Sequence, residues 1–224
     1  MILAGKQLFK SYGDLKVLKG IDIGIEKGEI VSIVGASGAG KSTLLHILGT
    51  LDNSDNGELY IKGEHVTKLN GNQLARFRNS NIGFVFQFHN LLPEFSAMEN
   101  ICIPGYIGKR NSSEVEKKAV RLMDLLGILD RKDHKPSELS GGEQQRTSVA
   151  RALINDPGIV FADEPSGNLD SKNANELHEL FFQLRKELNQ TFVIVTHNEH
   201  LAQMADRTLE IEDGLIVNQD SNPN

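Results

Sequence analysis

One cysteine (Cys102), six prolines and no tryptophan are found in 224 residues. A lone thiol cannot close an internal disulfide, which fits a reducing, cytosolic setting. Long apolar runs are also missing, and none approaches the ~20 residues that a membrane-spanning helix needs. The opening Met1-Ile2-Leu3-Ala4-Gly5-Lys6 lacks the basic segment and apolar stretch of a secretory leader. Positive charge is scarce: 24 Lys and Arg stand against 30 Asp and Glu, for a net charge of −6. Duplex nucleic acid is gripped by dense basic surface, so it is not an expected partner. Direct membrane insertion is not expected either, and any membrane role must come through a partner protein. Repeats and low-complexity tracts are absent.

What is present suits a globular domain, with 39% hydrophobic and 24% charged residues. Segments such as Gln7–Lys10, Leu18–Ile23 and Glu58–Lys62 alternate in polarity, as half-exposed antiparallel strands do. Ile30–Val34, Ile82–Phe86, Ile159–Ala162 and Phe192–Val195 are apolar throughout, the pattern of parallel strands covered on both faces. Leu209–Glu212 and Leu215–Val217, joined by Asp213-Gly214, read as a closing hairpin. Between about 88 and 136 there are helix signals and no good strand, so this stretch reads as a helical subdomain inserted in an α/β core. Within it, Ser113 and Glu116 form an expected capping box ahead of Val115, Ala119, Leu122, Met123 and Leu126 at helix spacing. Leu177, Leu180, Phe181, Leu184 and Leu188 mark a second helix, and a third begins near Gly142. The expectation is one α/β domain over 1–224 with a mainly parallel sheet, an N-terminal antiparallel β part and a disordered polar tail at 218–224.

Gly35-Ala36-Ser37-Gly38-Ala39-Gly40-Lys41-Ser42 follows one of the apolar strands and runs into the helix pattern Thr43–Leu48. This is the G-x-x-x-x-G-K-[ST] phosphate loop in its required strand–loop–helix context. Its glycines let main-chain N–H groups ring a phosphate, and the helix start adds partial positive charge. Lys41 is expected at the β- and γ-phosphates, Ser42 as a ligand of Mg²⁺, and Thr43 among the nucleotide-binding residues. Asp163-Glu164 closes another apolar strand, and the two carboxylates point to opposite sides of it. Asp163 suits Mg²⁺ opposite Ser42, and Glu164 suits the activation of a water. A second anion site is offered by Ser140-Gly141-Gly142 at a helix start, followed by Glu143-Gln144-Gln145-Arg146. Helix capping alone would need Ser140 but neither glycine.

Leu139-Ser140-Gly141-Gly142-Glu143-Gln144-Gln145-Arg146 resembles the signature motif of ABC transporter ATPases, and the family's other motifs follow in order from Phe9 to about Gly214. The resemblance implies a P-loop ATPase using ATP and Mg²⁺. Tyr12 is then the aromatic that stacks on adenine, Gln87 the Q-loop glutamine at Mg²⁺ and water, and His197 the switch histidine. Ser166-Gly167-Asn168-Leu169-Asp170 matches the D-loop, with Asp170 among the nucleotide-site residues. Two such chains pair head to tail in the ATP-bound state, so that Lys41 of one and Ser140 of the other hold the same nucleotide. Integral membrane subunits are implied to dock near Gln87–Asn100, placing the chain peripherally on the cytoplasmic side of the bacterial inner membrane. Phe86–Asn100, Ile107–Arg110 and Ala162–Asp170 are similar to the same stretches in the ATPases of lipoprotein-releasing systems. The ATPases of macrolide or antimicrobial-peptide exporters and of the cell-division ABC complex share much of this, and DNA-repair or ribosomal ABC ATPases form a more remote alternative.

Overall fold

In the computed structural model, which describes residues 1–221, β1 (Leu3–Tyr12) and β2 (Leu15–Ile25) form a long antiparallel hairpin. Next come β3 (Ile30–Val34), α1 (Lys41–Leu48), β4 (Asn56–Ile61), the two-residue β5 (Glu64–His65), α2 (Gly71–Asn81) and β6 (Ile82–Phe86). The chain continues through α3 (Ala97–Ile107), α4 (Ser112–Leu125) and α5 (Gly141–Leu153). It closes with β7 (Ile159–Asp163), α6 (Ser171–Leu188), β8 (Thr191–Val195), α7 (Glu199–Met204), β9 (Arg207–Glu212) and β10 (Leu215–Ser221).

Two sheets result, a four-stranded one in the order β2-β1-β4-β5 and a six-stranded one in the order β10-β9-β3-β8-β7-β6. The first is antiparallel. In the second, β9, β3, β8, β7 and β6 are parallel and only β10 runs against its neighbour. The all-apolar runs became these parallel strands because both of their faces are covered. Val160 and Ala162 join a core beneath α3, α4, α5 and α6. Their neighbours Ile159 and Phe161 join a second core with α1 and the antiparallel sheet. Alternation along each strand therefore feeds two cores at once.

Two expectations need correction. The cap of α4 is Asn111, whose side chain accepts from the Glu114 N–H, and not Ser113. Asn is as good a cap as Ser, and Glu114 is then the acidic residue of the first turn, where it suits the helix dipole. The polar tail was expected to be frayed from 218, yet Asn218, Gln219, Asp220 and Ser221 pair with Glu210, Leu209, Thr208 and Arg207. Main-chain ladder bonds hold an edge strand whatever its side chains, and polar side chains suit an edge. Residues 222–224 lie outside the described residues. No strand lies between β6 and β7 among the described residues, where α3 and α4 pack on α5.

Register fixes the site. Ile33 lies opposite Val195, Asp163 opposite Val195, and Phe86 opposite Asp163. The carboxyl ends of β3, β8, β7 and β6 are thus level, and Gly35, His197, Glu164 and Gln87 emerge beside one another. Ligands of open α/β sheets bind at that edge.

Candidate functional site

The phosphate loop leaves β3 at Gly35, whose φ is 140° and where a Cβ would collide with the Ile211 carbonyl. Only glycine fits there. Gly40 N-caps α1 in a left-handed conformation, and no side chain caps the helix. Its first N–H groups are therefore left for an external acceptor. Lys41 is buried, and its Nζ donates to the carbonyls of Gly35 at 2.9 Å and Ala36 at 2.8 Å. A buried ammonium satisfied by neutral carbonyls lacks a counter-charge, and a polyphosphate would supply one. Ser37, Gly38, Gly40, Lys41, Ser42 and Thr43 line one side of a cleft of about 380 Å³, with Glu164 and His197 opposite. Ala36 is exposed on the same loop, whereas Ala39 is buried.

The Ser42 hydroxyl donates to Asp163 Oδ1 at 3.1 Å. Hydroxyl and carboxylate form a hard oxygen pair of the kind Mg²⁺ takes, so the residues present fit that ion. His46, one turn beyond Ser42, places Nε2 3.5 Å from the other Asp163 oxygen. A hydrogen bond to Asp163 raises the pKa of His46 above the usual histidine value. His46 was missed in the sequence, although its i+4 spacing from Ser42 puts both on one helix face.

Glu164 adopts φ 47°, a left-handed conformation uncommon outside glycine, and its N–H donates to the Val195 carbonyl at 3.0 Å. The backbone thereby turns the carboxylate toward the loop that follows β8. One of its oxygens accepts from the His197 main-chain N–H at 3.3 Å, and the other lies 3.0 Å from His197 Nε2. Burial pushes the Glu164 pKa up, opposed in part by the charge of His197. A carboxylate of raised basicity above the phosphate loop is suited to take a proton from water.

Other expected residues stand outside this cleft. Tyr12 ends β1 with its ring exposed and its hydroxyl donated to Asp52 at 2.7 Å. Lys10, also bonded to Asp52 at 2.8 Å, places Nζ 5.1 Å from the ring centre of Tyr12. Asp170 N-caps α6, accepting from the Asn173 N–H at 2.9 Å. Ser140 caps α5 in a capping box with Glu143, and Glu143 is held by Arg131 at 2.7 Å. Ser140, Gly141 and Gly142 are absent from the cleft of their own chain. Gln87, just past β6, donates from Nε2 to Asn168 Oδ1 at 3.0 Å.

The stretch after Gln87 is a fastened platform. Arg151 donates to the carbonyls of His89 and Asn90, both at 2.6 Å. Asn100 is fully buried, donating to the carbonyls of Leu92, Phe95 and Ser96 and accepting from the Leu92 N–H. With its main chain pinned, the segment turns Phe88 (74% exposed), Leu92 and Phe95 outward. These side chains form an exposed apolar patch on a held loop. No helix among the described residues is long and apolar enough to cross a membrane.

A phosphate loop under a carboxylate–histidine pair, in a sheet with an antiparallel β part and a helical insertion, defines an ATP-binding cassette. The chain belongs to the ABC transporter family, whose model matches residues 18–167. Its curated relatives are narrower in kind. It is 62% identical to the lipoprotein-releasing system ATP-binding protein LolD of Cytophaga hutchinsonii, across 96% of this chain and 99% of that one. Identity to the LolD of Porphyromonas gingivalis is 56%, across 98% and 100% of the two chains. Among solved structures, the dimeric cassette MJ0796 bound to ADP and Pi superposes with a TM-score of 0.90 at 36% identity, covering 99% of each chain. A second dimeric structure of MJ0796 matches with the same TM-score at 37% identity and 99% coverage.

Proposed function

We propose that this chain is the ATP-hydrolysing motor of a lipoprotein-releasing ABC complex. It would work as a head-to-tail pair on the cytoplasmic face of the inner membrane. The observation that carries the reading is end-to-end similarity to LolD proteins, with the cleft residues in place.

Lys41 and the loop amides from Gly35 to Thr43 bind the polyphosphate, and Tyr12 takes the adenine ring. Ser42, Asp163 and Gln87 hold Mg²⁺, which when bound neutralises charge on the β- and γ-phosphates. Glu164 accepts a proton from the attacking water, and His197 keeps that carboxylate over the γ-phosphate. Ser140, Gly141 and Gly142 serve the partner's nucleotide, with Asp170 at the same junction. Their absence from the chain's own cleft, and the dimeric MJ0796 structures, support this division. Phosphoryl transfer rests on positioning and charge, so a site split between two chains ties hydrolysis to closure of the pair. The platform from Gln87 to Asn100 meets the membrane subunits.

The test is recovery of partners. Tagged Glu164→Gln chain is expressed in its native host, membranes are solubilised with ATP present, and co-purifying proteins are identified by mass spectrometry. A membrane subunit pair together with lipoproteins is the expected result. Recovery of an exporter or a cell-division complex would replace the cargo, and recovery of ribosomes or repair factors would overturn the transport role.

A further inference from the structure

Asn168 stands in the exposed loop between Glu164 and α6, and it makes a reciprocal pair of bonds with Gln87. Its Nδ2 donates to the Gln87 main-chain carbonyl at 3.1 Å, while its Oδ1 accepts from Gln87 Nε2 at 3.0 Å. The order of these bonds is not arbitrary. A main-chain carbonyl can only accept, so it fixes which end of the Asn168 amide faces Gln87's backbone. Oδ1 is then the atom left for the Gln87 side chain, and only Nε2 can approach an acceptor. Gln87 Oε1, the one atom of that amide able to ligate a hard cation, is thereby left free.

Gly167 closes the other side. A Cβ there would stand 2.8 Å from Gln87 Nε2, closer than real Cβ contacts, and a tight 3.0 Å from its Cδ, so the amide would have to shift. The loop itself is anchored to α6, where the buried His178 places Nε2 3.0 Å from the Ser166 hydroxyl. The Gln87 amide is therefore seated between a glycine that makes room and an asparagine that selects its orientation.

We infer that Asn168 is a positioning residue that holds the Gln87 amide with its oxygen, not its nitrogen, presented to the nucleotide-bound Mg²⁺. An amide rotated by half a turn would offer N–H donors to a cation, which is repulsive. Groups one shell behind a metal ligand commonly change affinity tenfold or more when removed. The inference rests on the reading that Gln87 faces the metal.

The experiment measures linkage between ATP and Mg²⁺ rather than turnover. In the full-length Glu164→Gln chain, ATP affinity is determined by calorimetry with Mg²⁺ and again with chelator, and the ratio is the metal's contribution. Asn168→Ala is expected to lower that ratio by about tenfold, and Gln87→Ala by as much. The double variant is expected to be no lower than either single one, because without the Gln87 amide there is nothing to orient. Gly167→Ala, which leaves Asn168 in place but displaces the amide, is expected to lower it too. An unchanged ratio in Asn168→Ala, with Gln87→Ala lowered, would overturn the inference and leave the metal-facing role of Gln87 standing. Multiplicative losses in the double variant would also overturn it, since Asn168 would then act independently of Gln87. An unchanged ratio in Gln87→Ala would remove the metal-facing role of Gln87, and the inference with it.

Discussion

His197 meets Glu164 twice, through its main-chain N–H at 3.3 Å from one carboxylate oxygen and its ring Nε2 at 3.0 Å from the other. The carboxylate is half-buried, and burial raises its pKa. Replacing it with an amide removes the base and retains the shape. Glu164→Gln is expected to bind ATP and dimerise while its phosphate release falls by about 10²–10⁴. Brisk release by that variant would take the base role from Glu164.

The same shift has a sign for stability. The folded chain holds the Glu164 proton more tightly than the unfolded chain, so this group favours folding below its folded pKa, and that support is lost as pH rises through it. Glu164→Gln is therefore expected to melt higher than the parent at pH 7 without nucleotide, the gain shrinking toward pH 4. Calorimetric melting at both pH values checks this.

His178 is buried on α6 and its pKa is pushed down to about 4, first by burial and then by the charge of His200. From its ordinary value of 6.5 down to about 4, the unfolded chain takes up a proton that the folded chain refuses. Stability is fully present above that interval and falls as pH drops through it, by about 2 kcal/mol at pH 5. His178→Phe should lose about that much less between pH 7.5 and pH 5 in urea titrations. An equal loss in both proteins would mean that His178 is not a group driving the acid response.

Ser140 lies outside the cleft of its own chain, which makes its loss informative. Ser140→Arg is expected to leave ATP affinity within about twofold and to cut hydrolysis by about 10³ or more, because the arginine blocks the facing nucleotide. Turnover at the parental rate would argue against a shared site.

Phe88 is 74% exposed on the fastened platform. Phe88→Glu should shift the melting temperature by no more than about 2 °C, as exposed substitutions do. In the partner-recovery experiment it should no longer bring down membrane subunits. Undiminished recovery would move the docking surface elsewhere.

The parallel strands and the phosphate loop were legible in the sequence, because strands covered on both faces carry unbroken apolar runs. α2 (Gly71–Asn81) was not, since it buries no residue fully and only Leu74 and Phe77 lean on the core. Its Asn70–Gln73 capping box was the clearer signal. The α4 boundary slipped because Asn111–Glu114 and Ser113–Glu116 overlap as cap signals, and the structure uses the earlier one. The individual roles of His46, Asn100 and Asn168 were hidden for another reason. Each matters through a partner brought close by the fold, and a single polar side chain does not announce its partner in advance. The phosphate loop and Ser140-Gly141-Gly142 were readable since each sets glycines at fixed offsets before a helix, whereas Tyr12, Gln87 and His197 came from the family resemblance.

Cys102 sits fully inside α3, its thiol pushed by burial toward the protonated form, and the chain has no tryptophan. Native protein is thus expected to react slowly with thiol reagents, and without tryptophan it is dark in the indole emission band. One introduced cysteine or one introduced indole would report from its own position alone. Opening and closing of the proposed pair could then be timed in assembled complexes without first stripping the chain of background signal.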